Sequence, residues 1–277
     1  MAVMTVWPVR CRCCAIALSA AGTLFGAFGS LLSQSRGGWL ALALVLPVLA
    51  AMLWRSLSRR DLVVSAVVAL LCGSALLALT ARQLNERIEQ AQSEVALYES
   101  TGYAANSVGQ RLDHWKLAWR LGQSHPLLGW SQKGYEIEKQ RIVAAGQAHP
   151  YVLEFNHAHN EFLDLFAKRG VIGLGALLYL YAVPLLLFWP RRGTGAPSRM
   201  VMPLHIIGVL IPVTYAGCGL TQGFLGHNSG TMFFVFMTVL VFTTLQGERT
   251  LLVRSSSPVG RRGSEGAAAL RPASQNA

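Results

Sequence analysis

The sequence predicts an all-α, polytopic transmembrane bundle of about six spans with one long, partly helical polar loop, and three observations carry that expectation. Charged residues make up only 13% of the 277 residues, against about 25% in an ordinary soluble domain, and the mean hydropathy is +0.39. Apolar stretches of about the twenty residues that a bilayer demands recur along the chain. The basic residues stand in short clusters beside those stretches. Between Thr80 and Gly170 ten Lys/Arg balance ten Asp/Glu, and the rest of the chain holds fourteen basic and three acidic residues, the whole net charge of +11. Such a distribution is a topology signal and not a nucleic-acid patch.

In chain order, residues 1–79 hold three spans, at about Cys14–Leu32, Gly37–Trp54 and Leu62–Leu79. Three more, at about Val171–Pro190, Met200–Leu220 and Ser229–Leu245, make a second membrane segment over 171–247. None contains an interior Lys, Arg, Asp or Glu, and His205 is the one ionisable group within them. If every span crosses, Arg10/Arg12, Arg55/Arg59/Arg60, Arg191/Arg192/Arg199 and the arginines of the tail all fall on the cytoplasmic side. The opposite side receives the Ser33–Arg36 turn, the 80–170 loop and the Thr221–Asn228 turn. Arg10 and Arg12 before an apolar run resemble a signal peptide, but no persuasive small-x-small cleavage site separates the run from the next span, and the Ser33–Arg36 turn is too short to begin a secreted domain, so the first run is read as a helix. The five cysteines avoid the outer loop, which argues against a disulfide framework, and Cys11-x-Cys13-Cys14 lacks complementary metal ligands. Residues 248–277, rich in Ser, Gly, Arg and Ala, form an expected disordered basic tail.

In the loop, Leu84, Ile88, Ala91, Val95 and Tyr98 recur at helical spacing, so the third span continues outward as an amphipathic helix that Gly102 caps. A second helix over about Ser107–Gln123 places Leu112, Trp115 and Trp119 on one face, and Arg111 beside Trp115 one turn on. Ser124-His125-Pro126 breaks it. After a stretch read as irregular, Asn160 is a good N-cap for a third helix, with Glu161 and Asp164 in its first turn and Lys168, Arg169 and Gly170 at its close. A short helix joined so closely to a span should lie near the bilayer surface, with His159 at its start.

Three features have the chemistry for a site. Arg36, the lone basic residue of the Ser33–Trp39 hairpin, either snorkels to lipid headgroups or offers its guanidinium fork to a phosphate. Arg111 is either a solvated helix residue or a second such fork. His157 and His159 lack the one-face spacing of a zinc helix; a general base is the better reading, because an ordinary imidazole titrates near neutrality.

Taken in order, Ser35-Arg36-Gly37-Gly38-Trp39, Arg111-x-x-x-Trp115, His125-Pro126-Leu127-Leu128-Gly129-Trp130, His157-Ala158-His159-Asn160-Glu161-Phe162-Leu163 and Gly170-Val171-Ile172-Gly173-Leu174 resemble the O-antigen ligase-like (Wzy C-terminal) family of bacterial inner-membrane proteins, over about residues 20–245. The resemblance implies transfer of a glycan from undecaprenyl pyrophosphate to a sugar hydroxyl of lipid A–core or another glycan acceptor, at the periplasmic face, without metal or cofactor. It assigns Arg36 and Arg111 to the pyrophosphate and His159 to the acceptor hydroxyl, with Trp115, His157 and Asn160 binding or positioning substrate. It also implies that this chain corresponds to the C-terminal half of such a protein, and that it would be inactive alone if the other spans help to hold the lipid carrier. The rivals are a polymerase of lipid-linked repeats, a ligase that glycosylates protein such as pilin and, from another class, a transporter, which would place ionisable groups deep in the spans.

Overall fold

The computed structural model describes residues 36–55, 58–102, 106–190 and 201–256, with Gly26 and Gly29 besides. The first predicted span (those two glycines apart), Cys11, Cys13, Cys14, the Arg36 side chain and the tail beyond Ser256 lie outside the described residues. Every long element among those described is a helix: α1 (Arg36–Trp54), α2 (Arg59–Thr101), α3 (Ser107–Ser124), α4 (Ser131–Ala144), α5 (Glu161–Phe188), α6 (Val201–Gly219) and α7 (Asn228–Ser256), with a 3-10 turn at Pro150–Leu153.

Local chemistry explains most of the boundaries. Ser58 caps α2 by accepting from the Asp61 amide, and Gly102 ends it in the left-handed conformation (φ 68°). Asn106 caps α3 through the Gly109 amide, and the helix stops before His125-Pro126 as expected. Asn160 caps α5 by accepting from the Phe162 and Leu163 amides. One expectation is corrected. The stretch after Trp130, read as irregular, contains α4, whose buried positions are Tyr135, Glu138, Lys139 and Ile142. Two of those four are charged, so the apolar period that announces a helix is absent. α7 also runs on to Ser256, past the start of the expected tail.

Among the described residues three helices are long and apolar enough to cross a membrane, Glu161–Phe188 (whose apolar part follows a break at Gly170), Val201–Gly219 and Asn228–Leu252, and α1 carries a shorter apolar run, Leu40–Trp54. Their packing defines two ends. At one, Met52, Phe188, Val201 and Leu245 join in a core, where α1 and α5 finish, α6 begins and α7 passes on towards its end at Ser256. At the other, α6 ends against the start of α1, so closely that a Cβ on Gly217 would stand 2.5 Å from the Ala41 Cα. Arg36 opens α1 at this second end. α2 packs on the rest of the protein chiefly through its outer half, against α3; along its inner half Leu70, Leu71 and Leu79 are exposed.

α5 is bent back on itself. Gly170 is non-helical (φ 64°, ψ −161°), and Tyr181 donates to Glu161 Oε2 at 3.1 Å. In a straight helix those residues would be about 30 Å apart. Phe162 and Leu165 of the first arm accordingly pack on Leu177 and Tyr181 of the second. Only the arm after Gly170 is apolar throughout, so the predicted span from Val171 and the predicted helix end at Gly170 describe the two arms correctly.

The fold-back is fastened by the His125–Trp130 segment. Val171 N–H donates to Pro126 O at 2.7 Å, and Trp130 N–H to Ala167 O at 2.9 Å. Backbones meet so tightly that a Cβ on Gly170 would lie 2.2 Å from Leu127 O, and one on Gly129 2.4 Å from the Arg169 nitrogen. Both glycines have positive φ, so neither position admits a side chain.

Candidate active site

Folding α5 back carries its N-terminus to the end of the bundle where α6 finishes. His159-Asn160-Glu161 is tied there to the turn between α6 and α7 at three points. His159 Nδ1 lies 3.1 Å from Gln222 Oε1, the Asn160 amide donates to Leu220 O at 3.1 Å, and Leu225 N–H donates to Glu161 Oε1 at 2.9 Å. Glu161, read as an ordinary first-turn residue, is therefore a buried anchor. An amide oxygen can only accept, so Gln222 assigns the proton to Nδ1 of the imidazole and leaves the lone pair on Nε2. His159 also holds φ at 50°, an uncommon conformation for a residue with a Cβ. Such geometry survives where several contacts over-determine it.

The approach to His159 is held by two buried lysines. Lys139 donates to Val152 O at 3.0 Å and to Phe155 O. Lys168 donates to Asn156 O at 2.8 Å and to Asp164 Oδ2 at 2.7 Å. Asp164 in turn accepts from the Ala158 amide at 2.9 Å. Both ammonium groups lie 5.2 Å from the centre of the Tyr135 ring. Burial lowers the Lys139 pKa, and Lys168 nearby lowers it further.

α3 supplies the other wall. Asp113 accepts from the Tyr98 and Tyr151 hydroxyls, fastening α3 to α2 and to the 3-10 turn. On the next residue, His114 is completely buried and its ring meets that of His159 edge-on, 5.7 Å between centres. Neither ring nitrogen of His114 has a hydrogen-bond partner. Burial, reinforced by Lys139, His159 and His157, lowers its pKa to about 4, so it is neutral. Phe155 completes the aromatic packing, 4.6 Å from His159.

Of the residues expected in the site, the structure brings His157, His159 and Asn160 together and joins them to α3. The His157 and His159 rings are 4.3 Å apart. His157 Nδ1 lies 3.2 Å from Asn156 Oδ1, and its Nε2 is buried without a partner. Burial lowers the His157 pKa, and the neighbouring His159 adds to the effect. With these rings no group of three His, Cys, Asp or Glu forms a metal cage among the described residues. Arg111 and Trp115 lie one turn before and one residue after His114 on α3, and both are half-buried. The Trp115 indole N–H is buried with no acceptor. His125, read as structural, stacks edge-on against Trp130 at 4.2 Å, in the segment that fastens Gly170. Gln222, His114 and the lysine tethers carried no sequence signal, because each acts through a contact distant in the chain or through burial.

Long apolar helices, with a cluster of histidines at one end under a polar helical loop, give the chain the architecture of a multi-span membrane protein. Residues 21–178 match the family model described as O-antigen ligase, and the chain belongs to that family. An uncharacterized protein of Haemophilus influenzae is 27% identical over 215 residues, covering 77% of this chain and 53% of the relative. The chain thus spans about half the length of the curated relative it matches.

Proposed function

We propose that this protein is an O-antigen ligase-type glycosyltransferase of the bacterial inner membrane, with six spans and the 80–170 loop in the periplasm. It moves a glycan from undecaprenyl pyrophosphate to a sugar hydroxyl of lipid A–core. The observation that carries this reading is the setting of His159, whose Nδ1 is committed to Gln222 while its ring lines an open pocket.

Nε2 of His159 takes the proton of the acceptor hydroxyl. The hydroxyl oxygen bonds to the anomeric carbon of the donor, and the bond from that carbon to pyrophosphate breaks, its electron pair leaving with undecaprenyl pyrophosphate. Pyrophosphate is already an activated leaving group, so the step needs stabilisation of growing negative charge, which Arg36 and Arg111 supply as bidentate donors. His157, which lines the same pocket, and Trp115, next to His114 on α3, position substrate in this scheme. Asn160 holds the strained turn that presents His159.

The test is lipopolysaccharide gel analysis of a strain lacking the gene, complemented with wild type, Arg36→Ala, Arg111→Ala or His159→Ala. Wild type restores glycan-capped lipopolysaccharide, and each variant leaves bare lipid A–core while polymerised glycan stays on its carrier. Core bearing a single repeat would identify a polymerase instead. Full complementation by all three variants would remove the residue assignments.

A further inference from the structure

Gly170 sets a depth. From Val171 to Phe188 the second arm of α5 carries no charged residue and rises about 27 Å, close to the ~30 Å of a bilayer's hydrocarbon core. As a span it has no length to spare, so Val171 has to stand at the boundary of the hydrocarbon. Pro126 O accepts from Val171 N–H at 2.7 Å, which brings the next two residues, Leu127 and Leu128, to the same level. Their side chains are 66% and 71% exposed, more than any other large apolar side chain among the described residues of the 80–170 loop. Lone exposed leucines are common on soluble surfaces. These two are adjacent, and they join exposed Val171 and Ile172, the start of the face that the arm turns outward. Half-exposed Trp119 packs on Phe166, one turn before Gly170, with 5.4 Å between ring centres. Tryptophan settles where a membrane meets water. The close backbone contacts at Gly129 and Gly170 leave the turn no room to draw its leucines inward.

We infer that the Leu127-Leu128 turn is a lipid-docking wedge. It inserts between the headgroups and acyl chains of the leaflet on the loop's side, and through it the bilayer holds the fold-back at the depth that delivers His159. The inference rests on reading the second arm of α5 as a membrane span, and is independent of the catalytic assignment.

The test places dansylalanine at Leu128, Tyr179 or Glu99 of the full chain in phosphatidylcholine nanodiscs. Quenchers are lipids with a nitroxide near the headgroup end or near the middle of the acyl chain, and iodide in the water. Tyr179 is exposed on the same arm, about 12 Å of helix below Val171. Glu99 lies about 30 Å along α2 from the predicted span that ends at Leu79. The probe at 128 is quenched at least about twofold more by the shallow nitroxide than by the deep one, the probe at 179 most by the deep one, and the probe at 99 by iodide alone. Melting curves confirm that each variant is folded. Independently, Leu127→Ser with Leu128→Ser lowers the melting temperature in nanodiscs by several degrees, whereas a solvated turn would be indifferent. Quenching at 128 by iodide alone, or most strongly from mid-chain, overturns the inference while position 179 upholds the span. Protection from all three quenchers means that protein covers the turn, and overturns it too. Lipid quenching as strong at 99 as at 128 does the same, because the loop as a whole would then lie on the bilayer. Absence of deep quenching at 179 removes the span reading and the wedge with it.

Discussion

His159 and His205 occupy opposite ends of the same bundle, and the contrast between them shows what the proposed base has that a structural histidine lacks. His205 lies within α6, with Nδ1 donating to the Phe188 carbonyl and Nε2 facing the Arg249 guanidinium at 3.3 Å. Both nitrogens are committed inside the fold. His159 stands just before a helix in a left-handed conformation, with one nitrogen held across the chain by Gln222 and its ring lining a pocket. An imidazole can exchange a proton with substrate only where one nitrogen is anchored and the other is left over. His205, the residue that a transporter reading would need, has none left over.

The largest expected effect tests that contrast directly. His159→Ala lowers transfer by about 10²–10⁴-fold and leaves the melting temperature nearly unchanged. His205→Ala removes about 1–3 kcal/mol of stability by stranding the Phe188 carbonyl, and keeps the transfer rate per folded molecule. Transfer assays beside melting curves read both, and equal losses of activity would erase the distinction.

The next effect belongs to the fold-back that delivers His159. Gly170→Ala drives a Cβ into the Leu127 carbonyl at 2.2 Å while φ is positive, and should cost about 3 kcal/mol or more. Gly175→Ala, further along the same helix with nothing within 4 Å of a Cβ, should be neutral or stabilise by up to about 1 kcal/mol. Equal melting temperatures for the two variants would mean that the close approach does not fasten the bend.

His114 gives a pH-dependent effect of similar size. Burial lowers its folded-state pKa from 6.5 to about 4. The unfolded chain therefore takes up the proton first as pH falls. Stability is complete above about pH 6.5 and declines towards pH 4, by about 3 kcal/mol from this residue. Other groups titrate over the same range, so the measurement is the difference in melting temperature between wild type and His114→Phe at pH 7 and at pH 4.5. The variant should lose less on acidification.

These contrasts also mark how far the sequence is legible. Gly102, Asn106–Gly109, the His125-Pro126 break and Asn160 are local signals, decided by a few neighbouring atoms, and boundaries read from Gly102, His125-Pro126 and Asn160 match the structure. α4 escapes because Glu138 and Lys139 occupy its buried face, so its pattern reads as polar. Gly170 is legible as a stop but not as a fold-back, since the partner that fastens it lies some forty residues earlier at Pro126. Within the site, His157, His159 and Asn160 stand out as one short cluster. Gln222 is separated from His159 by 63 positions in a turn that carries no motif, and nothing short of the fold connects them.

Gln222 therefore offers the finest test of why His159 and His205 differ. Its oxygen orients the imidazole and selects the tautomer, without touching the reacting atoms in the proposed scheme. Gln222→Leu should lower the maximal rate about tenfold, the scale of one lost positioning hydrogen bond, with KM for donor and acceptor little changed. Gln222→Glu restores an acceptor at the same place and adds a negative charge beside Nδ1. That charge favours the protonated ring, so the acidic limb of the pH–rate profile should move to higher pH while the plateau rate recovers towards wild type. A purely structural role for Gln222 would shift the melting temperature and leave the position of that limb unchanged.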